Sequence, residues 1–237
     1  MKYESKELCN SSYFAPGVVI AYGKSIDARP HKHSLWQLCL PSEESLLNNK
    51  VLLTGQVIPP NELHQLSMPK GWVILAEPKS QLGIIISELP KLLPTKKNDA
   101  RIEELFMQLF MFPALIDALK NNPYLSHDKR ILKLLAKLDT CSTGKCLKPE
   151  RWRAKDIADW LAISESRFLH IASKELGVSW RPYLLWRRLL CAIQAIKSGK
   201  NMTESAYLAG FSDSAHLCRT IKNLFGMTSK QLLSSFR

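Results

Sequence analysis

The sequence predicts an α+β protein of two domains, in which a small β-barrel with a few helices precedes an all-α segment. Three observations support this expectation. Short apolar runs recur about every ten residues between residues 13 and 87, a spacing typical of small barrels and sandwiches. Helical periodicity replaces these runs from about residue 100. After residue 146 one helical pattern occurs twice, which predicts two helix-turn-helix units.

Residues 1–90 are predicted to form the β domain. Its apolar runs are GVVIAYG, SLWQLCLP, KVLLTGQVI, GWVILAEP and LGIIIS, separated by Pro, Gly, Asn and Ser. About seven strands fit this length, which corresponds to a minimal barrel whose cavity would admit only a small ligand. The segment is therefore expected to act as a sensor domain.

Residues 91–145 are predicted to be a helical linker. RIEELFMQLF has apolar residues at helical spacing and predicts a helix over 101–119, while DKRILKLLAKLDT predicts another over 128–139. Both helices could form a dimer interface or pack against the barrel, and the sequence leaves these alternatives open. The stretch CSTGKCLKPER, with Gly144 and Pro149, indicates a connection to the next domain.

Residues 146–237 contain the repeated pattern. AKDIADWLAISESRFLHIASKELGVS (154–179) aligns with MTESAYLAGFSDSAHLCRTIKNLFGMT (202–228), where the second copy gains one residue after Ser214. In each copy a polar residue is predicted to cap the second helix and a glycine to end it. The predicted caps are Ser164 and Ser212, and the predicted end residues are Gly177 and Gly226. Two ordinary αα-hairpins are a weaker explanation, because both copies fall in the most basic part of the chain.

Charge and hydropathy restrict the classes of function. The formal net charge is +12, and residues 146–237 hold 15 Lys and Arg against 7 Asp and Glu. Such a segment favours nucleic acid first and acidic membrane surfaces second. No apolar run approaches the roughly 20 residues of a membrane span, and the start MKYESKELCN lacks the apolar stretch of a secretory signal. A cytoplasmic protein is therefore expected.

The C-terminal motif resembles the DNA-binding domain of AraC/XylS-type transcription regulators, which are bacterial-type proteins. Positions of the family pattern A..xGFxxxxxFxRxFKxxxGxxPxxYR are matched by Ala206, Gly210, Phe211, Arg219, Lys222 and Gly226. Leu217 and Ile221 replace the usual aromatics, and Ser229 replaces the usual proline. The resemblance implies binding to double-stranded DNA, action as a monomer or homodimer, and RNA polymerase as a candidate partner.

Between the two units, SWRPYLLWRRLLCAIQAIKSG predicts a helix of roughly 25 Å. This helix could hold the two second helices about one DNA turn apart.

The resemblance also implies which residues meet DNA. Base-reading positions on the second helix of each unit are Ser166, Leu169, His170, Ser214, Cys218 and Arg219. Arg219 is the strongest candidate because arginine pairs bidentately with guanine, whereas Leu169 could contact a thymine methyl or pack inside the domain. Candidate backbone contacts are Lys174, Trp180, Arg187, Ser212 and Lys222. Since these faces are poor in Arg and Gln, DNA shape is expected to contribute to specificity.

A second group of candidate residues lies in the β domain. RPHKHSLWQLCLP places His31 and His33 on one side of a strand, and GQVIPPNELHQL adds His64. Both stretches resemble cupin motifs, except that Gln37 replaces the metal-binding glutamate and Asn61 replaces a glycine. The histidines could hold Zn, Fe or Ni, line an effector pocket, or be vestigial. Because the carboxylate is missing, we expect no bound metal and no cofactor.

Two classes of function follow from these patterns. The first is a sequence-specific DNA-binding transcription regulator, controlled either by a small ligand in a cupin-like barrel or by its abundance alone. The alternative is a metal-dependent cupin enzyme with a helical appendage, which needs the three histidines to leave an open metal position. The sequence contains no Gly-rich phosphate loop, nucleophile elbow or paired-carboxylate motif. We therefore expect a regulator and no enzymatic activity.

Overall fold

The computed structural model describes residues 13–15, 17–53, 55–92, 124–125, 128–140 and 152–235. The chain divides into two compact units. One comprises residues 1–123 together with 222–237, and the other comprises residues 124–221. The helix predicted over 101–119 and the connection CSTGKCLKPER lie outside the described residues. The predicted domain boundaries, near residues 90 and 145, stay predictions.

The first unit is built on a seven-stranded antiparallel sheet. The strands are β1 (Tyr13–Ala15), β2 (Val18–Asp27), β3 (Trp36–Pro41), β4 (Ser45–Leu47), β5 (Lys50–Leu52), β6 (Gln56–Ile58) and β7 (Leu66–Ala76). The order is β1-β2-β7-β3-β6, and the hairpin of β4 and β5 pairs with the start of β7. This half-barrel confirms the β class of the N-terminal part.

The eight helices assigned within the described ranges follow the sheet in the chain. They are α1 (Gln81–Leu92), α2 (Lys129–Asp139), α3 (Ala154–Trp160), α4 (Glu165–Leu176), α5 (Trp180–Lys197), α6 (Met202–Leu208), α7 (Ser214–Phe225) and α8 (Ser229–Ser235). The α+β prediction with an all-α C-terminal part is therefore confirmed. Over the same ranges, no helix is long and apolar enough to cross a membrane.

The run LGIIIS was predicted as a strand, and that prediction is wrong because these residues belong to α1. Ser80 begins the helix, since its hydroxyl accepts a hydrogen bond from the Gly83 amide at 3.0 Å. The buried apolar side chains of α1 are Leu82, Ile86 and Leu89, which share a core with β2, β3 and β7. Their spacing of four and three residues is helical, although the short apolar run concealed it.

The helical unit has its own core, to which α2 contributes. Four leucine or isoleucine side chains of α2 are buried: Ile131, Leu134, Leu135 and Leu138. They belong to one cluster with Phe168 of α4 and Trp180 of α5. The predicted helix over 128–139 is present, but its apolar face packs on the first helix-turn-helix unit. The roles predicted for this helix were a dimer interface and packing against the barrel. Neither prediction described its packing on the helix-turn-helix unit.

Candidate nucleic-acid interface and histidine cluster

The helix pairs α3–α4 and α6–α7 are built in the same way. In the first turn the Ile163 amide donates to the Ala158 carbonyl at 3.0 Å, and in the second the Phe211 amide donates to the Ala206 carbonyl at 2.9 Å. The preceding residue is left-handed in each turn, with φ of 52° at Ala162 and 78° at Gly210. Two helix-turn-helix units are therefore present, as the repeat predicts.

The caps of α4 and α7 differ from each other. Ser164 caps α4 as predicted, because its side chain accepts from the Arg167 amide at 3.3 Å. In α7 the cap is Asp213, whose Oδ1 accepts from the His216 amide at 2.6 Å. The prediction that Ser212 is the cap is therefore wrong, and the Ser212 hydroxyl instead donates to the Asp213 carboxylate at 3.0 Å. The His216 amide and the Ser212 hydroxyl lower the pKa of Asp213.

This capping pattern changes the alignment of the two helices. Both run for 12 residues from the cap to a left-handed glycine, Gly177 or Gly226. The extra residue of the second copy consequently lies in the turn before the helix, and not after Ser214. Ser166 then corresponds to Ala215, while Leu169 and Cys218 still correspond, as do His170 and Arg219. Ser214 is therefore not the structural equivalent of Ser166.

The outward face of α4 contains all the positions predicted for it. Its buried side is formed by Phe168, Ile171, Ala172 and Leu176. On the opposite side the base-reading candidates Ser166, Leu169 and His170 are exposed, together with Lys174. Leu169 is 40% exposed, so it does not pack fully inside its own domain. An apolar residue exposed on a polar face is suited to contact a thymine methyl group.

The outward face of α7 is smaller. Leu217, Thr220 and Ile221 are buried against the rest of the domain. Arg219 and Lys222 are exposed, whereas Ser214 and Cys218 are partly buried. Ala215, which the sequence alignment did not select, is exposed at the position equivalent to Ser166. Arg219 is therefore the one predicted base-reading residue of α7 that is exposed, since Ser214 and Cys218 are partly buried.

Two predicted backbone contacts are interior residues. Trp180 is only 2% exposed, and its indole N–H donates to the Trp152 carbonyl at 3.1 Å. Arg187 is also buried, and its guanidinium pairs with Asp139 and donates to the hydroxyls of Tyr124 and Tyr183. The prediction that either side chain reaches DNA phosphates is therefore corrected. The exposed arginines of α4 and α5 that the sequence analysis did not select are Arg167 and Arg181.

A second site, the histidine cluster, consists of His31, His33 and His64. His31 and His64 form an isolated antiparallel bridge in which each amide donates to the other carbonyl at 2.9 Å. The ring centroids lie 4.2 Å apart for His31 and His64, and 5.1 Å apart for His33 and His64. All three rings are buried. The backbone therefore holds three imidazoles together in the interior of the sheet unit.

Hydrogen bonds determine the tautomers of two of these rings. The Nδ1 atom of His31 lies 2.8 Å from the Arg29 carbonyl, and that of His64 lies 3.0 Å from the Glu62 carbonyl. A carbonyl only accepts, so both Nδ1 atoms carry the proton and each Nε2 keeps a lone pair. His64 Nε2 is buried and has no hydrogen-bond partner among the residues that the structure describes.

Gln37 supports the third ring. Its Oε1 accepts from His33 Nε2 at 2.9 Å, and its amide nitrogen donates to Cys39 Sγ at 3.1 Å.

Burial lowers the pKa of His31 and of His33 to about 4 and also lowers that of His64, so the cluster is neutral at pH 7. Burial raises the pKa of Cys39 to about 12, which makes it an unreactive thiol.

Two helix-turn-helix units joined by the single helix α5, in the basic part of the chain, define the DNA-binding domain of a transcription regulator. Residues 157–235 match a family described as a helix-turn-helix domain. This match confirms, for the C-terminal part of the chain, the predicted resemblance to AraC-type regulators. No curated protein matches the chain.

Solved structures of ToxT from Vibrio cholerae are similar to this chain at low identity. ToxT from strain O395 has a TM-score of 0.47 and 12% identity, over 91% of this chain and 96% of that chain. A structure at 1.65 Å has a TM-score of 0.45 and 14% identity, over 91% and 97%. Wild-type ToxT bound to an unsaturated fatty acid has a TM-score of 0.45 and 15% identity, over 95% and 96%. Likeness at this level carries no inference about the ligand of this chain.

Proposed function

We propose that this protein is a non-enzymatic transcription regulator that reads DNA with both α4 and α7 and responds to a small ligand in its sheet unit. The observation that supports this most strongly is the doubled helix-turn-helix unit. Each second helix buries one side and exposes a short polar face. The exposed small, polar and cationic side chains of these faces can contact base edges and phosphates in the major groove.

We assign a role to each of the exposed candidate residues. Arg219 pairs with a guanine edge, and Leu169 contacts a thymine methyl group. His170 donates to a base edge or a phosphate, and Ser166 and Ala215 lie at the equivalent close approach of the two helices. Lys174, Lys222 and Ser212 bind phosphates, which fixes the register of the domain on the duplex. Arg167 and Arg181 replace the buried Trp180 and Arg187 in this group.

The protein acts in the cytoplasm, where DNA is accessible, and contacts RNA polymerase as a monomer or homodimer. A ligand in the sheet unit controls DNA binding only to the extent that it binds the DNA-competent state more tightly than the other state. A cupin enzyme is not proposed, because Gln37 contributes an amide hydrogen-bonded to His33 where that chemistry uses a carboxylate.

Selection of bound duplexes from a random DNA pool tests the proposal. The affinity of the full chain is then measured by fluorescence anisotropy for the selected duplex and for a scrambled duplex of equal length, at several salt concentrations. We expect at least about a thousandfold preference for the selected duplex. The affinity for both duplexes should decrease steeply with salt. Equal affinity for both duplexes would leave only non-specific binding by a basic protein and would contradict the proposal.

A further inference from the structure

The three imidazoles of the histidine cluster offer nitrogen atoms that all lie within 4.8 Å of one another. His33 and His64 are 4% and 1% exposed, so both rings are shielded from bulk solvent. His64 Nε2 is directed into the interior with a lone pair and no partner in the described part of the chain. A buried acceptor without a donor is costly, and such groups are commonly completed by a bound ion or water.

The backbone prepares two of the rings as ligands. The carbonyls of Arg29 and Glu62 hold the Nδ1–H groups of His31 and His64, which leaves each Nε2 unprotonated. Metal-binding histidines in proteins usually donate their other ring N–H to a carbonyl or carboxylate, because that bond orients the ring and raises its basicity. His33 supplies the third nitrogen when it loses one of its two hydrogen bonds. These are the bond of Nε2 with Gln37 Oε1, at 2.9 Å, and the bond of Nδ1 with the Leu35 amide, at 3.4 Å.

We propose that His31, His33 and His64 bind one divalent first-row transition-metal ion, for which Zn²⁺ is the representative probe. Three neutral imidazoles suit Zn²⁺, Co²⁺, Ni²⁺ or Cu²⁺, whereas Mg²⁺ and Ca²⁺ require oxygen ligands. Nitrogen ligands of a tetrahedral zinc ion lie about 2.0–2.1 Å from the metal and hence about 3.4 Å from one another. The three nitrogens lie within 4.8 Å of one another, so they must move closer together for all three to bind one tetrahedral ion.

The missing glutamate, which led to the expectation of no metal, does not remove the ligand set. Gln37 is turned toward His33 and Cys39, where it donates to sulfur and accepts from a ring nitrogen. It therefore supports a ligand and does not need to be one. The ion keeps at least one coordination position for water or a small anion, and the exposed Glu62 carboxylate near His64 favours a positive charge there.

The position of the site connects it to the end of α7. The Arg29 amide donates to the Gly226 carbonyl at 3.0 Å, and the Arg29 carbonyl holds His31. Gly226 has φ of 66°, and a Cβ there would lie 2.7 Å from His31 Nδ1. Within this unit, an ion that fixes His31 also restrains the peptide that holds Gly226. An effect of the ion on DNA affinity is a further part of this proposal, and it rests on the proposed function.

Metal titration of the full chain tests the site. The protein is freed of metal with a chelator, and Zn²⁺ is added in competition with a chromophoric chelator. We expect one tightly bound ion per chain, and a loss of affinity of at least about tenfold for His64→Ala and for His31→Ala. The matched control is His216→Ala, which removes a partly buried imidazole of α7 and should keep the stoichiometry and affinity of the wild type. Absence of tight binding, or equal binding by His64→Ala and the wild type, would overturn the site.

Two further measurements keep this result interpretable. Circular dichroism of each metal-free variant shows whether it folds. If His64→Ala does not fold, His33→Gln is used in its place in the metal titration. Co²⁺ added to the wild type should give the intense visible bands of four- or five-coordinate cobalt, whereas the weak spectrum of six-coordinate aqueous cobalt would count against the site. DNA affinity is then measured with and without Zn²⁺. If Zn²⁺ leaves the DNA affinity unchanged, only the connection through Gly226 is contradicted. If DNA is bound in neither state, the proposed function is contradicted and the metal result stands.

Discussion

Arg219 is an exposed side chain at the position of α7 equivalent to His170 of α4. We predict that Arg219→Ala lowers the affinity for the selected duplex by about 1–3 kcal/mol and relaxes the preference at one base pair, because a bidentate pair with guanine is lost. Anisotropy titrations with single-base variants of the duplex measure this change. The control is Lys222→Ala, which should weaken binding evenly across duplexes and reduce the salt dependence. An Arg219→Ala protein with the wild-type preference would show that this residue does not read a base.

The histidine cluster predicts the pH dependence of stability in the metal-free protein. Burial lowers the pKa of His31 and His33 from an unfolded value of 6.5 to about 4. The unfolded chain therefore binds protons between these two values that the folded chain does not, so the free energy of unfolding falls as the pH is lowered from about 6.5 to about 4. The expected loss between pH 7 and pH 5 is on the order of 2 kcal/mol for each fully buried histidine.

Urea denaturation of the metal-free chain at both pH values, in parallel with His33→Gln, measures this effect. The variant should lose less stability in acid than the wild type. Equal losses in the two proteins would show that His33 is protonated as readily in the folded chain as in the unfolded chain.

For single residues, the spacing of apolar side chains was sufficient to predict which side of α4 faces outward, since a helix repeats every 3.6 residues regardless of its neighbours. It was not sufficient for the backbone contacts. Trp180 and Arg187 were selected by residue type, yet they lie seven residues apart on the side of α5 that also buries Tyr183. Asp139, which neutralises Arg187, is 48 residues away in sequence, so no local pattern indicated that this arginine is paired.

At the scale of the elements, the turn of the first helix-turn-helix unit contains a strained residue. Ala162 has φ of 52°, in the left-handed region where a Cβ is unfavourable by about 1–2 kcal/mol, whereas the equivalent Gly210 carries no such penalty. We predict that Ala162→Gly stabilises the protein by up to about 1 kcal/mol, after the greater backbone entropy of glycine is subtracted. Thermal or urea unfolding measures this change. The reciprocal variant Gly210→Ala should destabilise the protein by a similar amount, and a destabilised Ala162→Gly protein would contradict the assigned strain.

The sequence predicted the existence of most elements but not all of their ends or types. The repeat identified both helix-turn-helix units because their turns place apolar and left-handed residues at fixed offsets. The cap of α7 was missed because Ser212 and Asp213 are both good capping residues, and only the geometry shows that the aspartate accepts from the His216 amide. LGIIIS was missed because a short apolar run fits a strand and a buried helix equally well.

At the scale of the whole molecule, the basic charge of residues 146–237 and the paired units indicated the same function from independent observations. The sheet domain was predicted less completely. Its strands follow from alternating apolar runs, but the convergence of His31, His33 and His64 depends on a bridge between residues 33 positions apart. A sequence pattern could nominate these histidines, and only the fold shows that their rings meet.

The proposed function requires that α4 and α7 of one chain read DNA together. Hydroxyl-radical and methylation-protection footprinting of the full chain on its selected duplex measures this most directly. We expect two protected major-groove segments on one face of the duplex, about one helical turn or roughly 34 Å apart. Arg219→Ala should weaken protection of one segment only. A single protected segment, or protection without sequence preference, would contradict the claim that both helices act as recognition helices.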